Sequence, residues 1–71
     1  MGAEISITFQ GRKRNLPRGL TIAGLVDLEG ISRNESIVVL HNDIAVPPPS
    51  REDAVLHDGD VVEFFRFMGG G

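Results

Sequence analysis

Only one stretch of this chain has helical periodicity, so every apolar strand face in it has to be buried against a single helix. In residues 21–30, Ile22, Leu25 and Val26 recur at i, i+3 and i+4 and form one apolar stripe. Thr21 is placed to cap the helix through its hydroxyl oxygen, and Gly30 to stop it in a left-handed conformation. Gly24 inside the helix costs about 1 kcal/mol relative to alanine. The helix therefore depends on packing against its surroundings.

What surrounds it reads as strand. Ile5, Ile7 and Phe9 alternate with Ser6, Thr8 and Gln10, the period of a half-buried strand. Gln10-Gly11 is a hairpin turn, and a second strand covers residues 12–16 and ends at Pro17. Residues 37–40 are a nearly continuous apolar run, which predicts a strand buried on both faces. Asn42-Asp43 offers a turn into a short return strand over 44–46. Pro47, Pro48 and Pro49 predict an extended segment, and residues 50–54 a helical turn capped by Ser50. Asp58-Gly59-Asp60 predicts a turn with both carboxylates as turn formers, before a last strand over 61–67. The expected class is α+β: a mixed four- to five-stranded sheet packed on one helix.

Length and composition narrow the function. A chain of 71 residues holds one domain. It has no cysteine, which excludes a disulfide framework, a thiolate metal site and a cysteine nucleophile, and points to the cytoplasm. Its net charge of −3 argues against nucleic acid held by charge. No apolar run reaches the roughly 20 residues that span a bilayer. Gly2 and Ser6 fit the loose N-myristoylation pattern, but Ile5 between them already belongs to a strand. Arg12, Lys13, Arg14 and Arg18 form a basic run that reads as a solvated hairpin face which also discourages edge pairing, with a role in reaching an acidic partner as the alternative. His41 and His57 lack partners at metal-ligand spacing and read as solvated or turn-capping.

Two features remain. On the last strand Phe65 and Phe67 fall on the face away from the helix, beside apolar neighbours, and such a patch marks a partner surface. Met68-Gly69-Gly70-Gly71 then closes the sequence. The expected organisation is a globular domain over 1–67 and a flexible glycine tail over 68–71. Four extended residues reach roughly 14 Å, enough to enter another protein's active site while the domain stays outside.

These pieces resemble the ThiS/MoaD sulfur-carrier proteins, relatives of ubiquitin with the β-grasp fold. The resemblance runs over nearly the whole chain. It comprises Gln10-Gly11, Thr21-Ile22-Ala23, Leu25-Val26, Val38-Val39 to Asn42, Val46-Pro47, Leu56, Asp58-Gly59-Asp60-Val61-Val62-Glu63, and the terminal Gly70-Gly71. The chain departs from the family pattern at Gly24, where an acidic residue is common. It also departs at Pro48 and Arg51, which stand near an Arg and a Trp of ThiS-like chains.

The resemblance implies a carrier that supplies no catalyst and needs no cofactor. An E1-like adenylating enzyme of the ThiF/MoeB type would activate the Gly71 carboxylate, and a thiocarboxylate would form there. A biosynthetic enzyme for thiamine thiazole or molybdopterin would accept the sulfur. Gly69 and Gly70 would give access, while Phe65, Phe67 and Met68 would dock the partner. A free tail suits a monomer. Two alternatives stay open: a ubiquitin-like modifier joined to lysines through Gly71, and a plain β-grasp interaction domain.

Overall fold

The computed structural model describes residues 2–32 and 35–66. Strands β1 (Glu4–Phe9) and β2 (Arg12–Pro17) form a hairpin and are followed by helix α1 (Ile22–Leu28). Strands β3 (Ile37–His41) and β4 (Ile44–Ala45) form a second hairpin. A 3-10 turn at Pro48–Ser50 then leads to β5 (Val61–Arg66). All five strands join one sheet in the order β2-β1-β5-β3-β4. The last strand is thus the central one, parallel to β1 and antiparallel to β3. This is the α+β, β-grasp arrangement, at the five-stranded end of the expected range.

The local chemistry accounts for each element. Both hairpins have two-residue loops whose residues take positive φ: 53° at Gln10 and 78° at Gly11, 52° at Asn42 and 68° at Asp43. Such loops match the right-handed twist of the strands they join. Thr21 caps α1, its hydroxyl oxygen accepting the Gly24 N–H at 3.1 Å. At the other end Gly30 has φ 73°. Its N–H donates to Asp27 O at 3.1 Å, and the Ile31 N–H donates to Val26 O at 3.2 Å. These two bonds close the helix in the way that a left-handed glycine permits. The alternation of β1 also holds, with Ile5, Ile7 and Phe9 buried under the helix beside Ile22, Leu25 and Val26. Leu56, 1% exposed, completes this core from a loop tied to the helix start by Leu56 N–H to Leu20 O at 2.9 Å.

Three expectations are corrected. On β3 only Ile37 and Val39 are buried, and Val38 and Leu40 are half-buried, because the one helix covers one face of the sheet. The extended conformation is confined to Pro47 (φ −68°, ψ 157°), and the helical turn begins at Pro48, not at Ser50. Prolines suit a first turn, since their φ is already helical and no N–H there needs an intrahelical partner. Ser50 is accordingly inside the turn rather than its cap, its N–H donating to Pro47 O at 2.9 Å. The second strand ends at Pro17 as expected, at the sheet edge, where a missing donor is tolerated. Phe67, and the tail over 68–71, lie outside the described residues.

Gly24 has a steric reason that its propensity hides. A Cβ at this position would sit 2.6 Å from Leu20 Cδ1, and Leu20 packs against the core. Gly24→Ala should therefore lower the thermal midpoint by a net ~1 kcal/mol equivalent. Overpacking costs about 1–3 kcal/mol, and the better helix propensity of alanine offsets about 1 kcal/mol. The loss should shrink in a Leu20→Ala background, measured by thermal denaturation of all four chains. Strict additivity of the two substitutions would contradict the contact.

Candidate functional site

Strand β5 presents its two faces to different surroundings. Val62 and Phe64 point under the helix, and the Phe64 ring meets Phe9 edge to face, with centroids 4.8 Å apart and 76° between the planes. Val61, Glu63 and Phe65 lie on the helix-free face. The register places Phe65 opposite Val38 and Glu63 opposite Leu40. Phe65 is 49% exposed and Val61 43%. The apolar patch occupies the β5–β3 half of this face, while the β1 half carries Ser6 and Thr8. Phe65 thus stands where the sequence places it, partly exposed beside apolar neighbours. Phe67, Met68, Gly69, Gly70 and Gly71 fall outside the described residues.

The strand that carries Phe65 is paired on both sides, in part for a reason that residue patterns do not show. The β1–β5 ladder ends at Phe9 and Val62, where the chain turns into the hairpin. There Gln10 takes over: its N–H donates to Val62 O at 3.1 Å. Its side-chain amide donates to Phe64 O at 3.0 Å and accepts the Phe64 N–H at 3.0 Å. The amide imitates a further residue of strand, so β5 keeps a partner on that side beyond the end of β1. On the other side β3 pairs with it as far as Ile37 opposite Arg66. Arg66 also meets Glu35 at 3.5 Å on the surface, a pair of little energetic weight.

The start of β5 is fixed by a buried carboxylate. Asp60 Oδ2 accepts from His41 Nε2 at 2.6 Å and from the His57 N–H at 2.8 Å, and Oδ1 accepts from Asn42 Nδ2 at 3.1 Å. Asn42 Oδ1 in turn accepts the Val61 N–H at 2.8 Å. Asp58, by contrast, is exposed and takes the Ser6 N–H at 2.7 Å. The two aspartates therefore differ: Asp58 ties the turn to β1, while Asp60 is a hub that joins the turn to the β3–β4 hairpin. His41 is half-buried against that hub, not solvated. Burial alone raises the Asp60 carboxyl, but the hydrogen bonds from His41, the His57 N–H and Asn42 outweigh it and hold the group below its ordinary value.

A second clamp, also unread in the sequence, is Arg51. Its Nε donates to Val46 O at 3.2 Å and its Nη2 to Ile37 O at 2.9 Å, pinning the turn after the prolines onto the start of β3. Nothing in the spacing of Arg51 signals this. Among the described residues no group of three His, Asp or Glu side chains is placed to hold a metal ion. No described helix is long and apolar enough to cross a membrane. The arrangement offers a half-apolar exposed face on a strand that is paired on both sides.

The sign of the Asp60 shift sets a pH dependence. A carboxyl depressed in the folded state adds stability that is fully present above the unfolded value of about 3.9 and is lost as pH falls through the lower folded value. Asp60→Asn should cost about 1–3 kcal/mol at neutral pH, because one buried donor loses its acceptor. Chemical denaturation across pH should show the gap between the two proteins narrowing below about pH 4. A gap that stays constant into acid would contradict the role given to the carboxylate.

Comparison with known proteins bears on this arrangement directly. The sequence profile of the ThiS family matches residues 2–71. The crystal structure of the thiamine biosynthesis protein ThiS from Geobacter metallireducens is 26% identical, with a TM-score of 0.80 over 94% of this chain and 100% of that one. The solution NMR structure of a thiamine biosynthesis protein from the same organism is 26% identical, with a TM-score of 0.77 over 94% of this chain and 88% of that one. No curated protein matches the chain. With the family profile matched from Gly2 through Gly71 and the same sheet and helix in a solved relative, the chain belongs to the ThiS family.

Proposed function

We propose that the chain is a cytoplasmic sulfur carrier of thiamine biosynthesis, and that Gly71 is the residue that bears the sulfur. The observation that carries this reading is the family match, which extends through the diglycine to Gly71 on a chain with the fold of a ThiS protein. The chemistry follows from the carboxylate. It is ionised at neutral pH and is a poor electrophile. An E1-like enzyme of the ThiF/MoeB type therefore has to activate it. A carboxylate oxygen attacks the α-phosphorus of ATP, pyrophosphate leaves, and an acyl-adenylate forms. Sulfide, or the outer sulfur of a persulfide, then attacks the carbonyl carbon and AMP leaves. Where a persulfide is the donor, a thiol reduces the S–S bond and frees the thiocarboxylate. A second enzyme takes the sulfur into the thiazole.

In this reading the carrier contributes access and docking and no catalytic group. Gly69 and Gly70 let the end of the chain pass through a narrow channel. Phe65 on the helix-free face docks the activating enzyme, with Phe67 and Met68 continuing that contact. Phe65→Ala should weaken binding to the activating enzyme about tenfold or more, as aromatic anchors do, while stability changes by under ~1 kcal/mol, the scale of one cross-strand pair. Unchanged affinity in a titration with that enzyme would remove Phe65 from the interface.

The defining test is intact mass after incubation with the activating enzyme, ATP and a sulfur donor, followed by a thiol-alkylating reagent. Oxidation of Met1 or Met68 nearly matches the nominal gain from replacing one oxygen by sulfur, but only the thiocarboxylate alkylates in a chain without cysteine. An adduct mapped to Gly71 is the expected result. A chain extended by one residue past Gly71 should give none. An unmodified terminus in the first protein, or an adduct on the second, would overturn the mechanism.

A further inference from the structure

Charge in this chain is sharply segregated. Residues 1–18 carry Arg12, Lys13, Arg14 and Arg18 against the single acid Glu4, whereas residues 19–71 carry three cations and nine acids. The cations lie along and just beyond β2, an outer strand of the sheet. Arg14 is engaged: its Nη1 lies 3.0 Å from Glu29 Oε2, and its guanidinium sits 5.6 Å from the Phe9 ring centre. Arg12 and Lys13 are exposed and have no acidic partner among the described residues.

The register adds a second, independent observation. Phe9 and Arg12 close a two-residue hairpin, so Arg12, Arg14 and Leu16 turn their backbone groups toward β1. The same phase continues in the Arg18 N–H, which donates to Ala3 O at 3.0 Å. Lys13 and Asn15 fall between these pairs and point their N–H and C=O away from the sheet. Pro17 ends the row, with no N–H and with its carbonyl already accepting the Leu20 N–H at 3.2 Å. The free edge is therefore short, bounded and basic.

We propose that this edge is a docking site for an acidic, extended segment of a partner protein, which adds to the sheet beside β2. The backbone groups of Lys13 and Asn15 pair with the segment, and Arg12 and Lys13 meet its carboxylates. The same cations repel the β2 edge of a second copy, so the edge selects its strand by sign. A nucleic acid fits less well. The exposed positions of β2 carry no aromatic side chain on which a base can stack, and the acids of the rest of the chain repel a long polyanion. The site is separate from the helix-free patch around Phe65 and does not depend on the chemistry at Gly71.

The test uses the full chain, isotopically labelled, and an acetylated, amidated peptide that alternates Glu and Val. Binding should shift the Lys13 and Asn15 amide resonances, slow their hydrogen exchange and weaken as salt is added. The combined Arg12→Glu and Lys13→Glu variant should bind at least about tenfold more weakly with an unchanged thermal midpoint. Asn15→Pro keeps every charge and removes one outward N–H, and it should also bind about tenfold more weakly. The proposal is overturned by exchange at Lys13 and Asn15 that stays as fast as in the free protein, or by full affinity in Asn15→Pro. Tighter binding of oligothymidine than of the peptide would overturn it in favour of nucleic acid.

Discussion

The pairing of β5 with β1 is the constraint on which the rest of this structure depends. It joins segments some fifty residues apart, as the contacts of Asp58 with Ser6 and of Gln10 with Phe64 show, at separations of 52 and 54 positions. Before β5 enters, the β1–β2 and β3–β4 hairpins share no ladder, and the apolar stripe of the helix has only part of a sheet to cover. The entropy of closing that long loop must be spent before Val62 and Phe64 reach the core. A corollary concerns function. The strand that leads toward Gly71 is held by neighbours on both sides and by the Phe9–Phe64 contact. Loosening it means opening the centre of the sheet, the part of a domain that opens least.

Among the described residues one α-helix and five strands leave one sheet face uncovered, and the chain treats its two halves differently. Beside β1 the face is polar, with Ser6 and Thr8. Beside β3 it is mainly apolar, with Val38 against Phe65, and Leu40 against the one charged side chain there, Glu63. A domain of this size buries only about 60% of its surface, so some apolar exposure costs nothing unusual. Its concentration on the strand that leads to the tail is what gives it direction. On the proposed route the chain must bind an activating enzyme and then leave it. A small patch with one half-exposed aromatic residue suits such an exchange, because modest interfaces dissociate readily.

Local pattern made most of the fold legible. The alternation in β1, the stripe Ile22, Leu25 and Val26, the Thr21 cap and the Gly30 stop depend on neighbours within a turn or two, and each stands as read. Errors arose where the deciding partner was distant. The apolar run at β3 looked doubly buried because sequence does not show how much sheet one helix covers. The proline triplet looked extended because its helical compatibility matters only if a turn follows, and that turn is held by Arg51 reaching back to Ile37 O. Asp60 is a turn former as read, through the His57 N–H, but its tie to His41, read as solvated or turn-capping, links positions 19 apart and has no local signal. The exposed patch was legible through Phe65, since alternation on a strand assigns faces whatever the neighbours are.

The position of the His41–Asp60 pair bears on what kind of protein this is. A buried carboxylate holding an imidazole is an arrangement that many enzymes use to orient a base, and in isolation it invites that reading. Here it sits at the start of β5, whereas the chain continues toward Gly71 from the far end of the strand, six residues away. At about 3.3 Å per residue the strand thus carries the chain roughly 20 Å from the pair by Arg66. The side-chain hydrogen bonds of Asp60 instead hold the turn, the β3–β4 hairpin and the start of β5 together. Asp60, Asn42 and Gln10 are engaged in fixing the central strand. Chemistry proposed at Gly71 then asks of this chain only a firm mount, a face to dock and a carboxylate for another protein to activate.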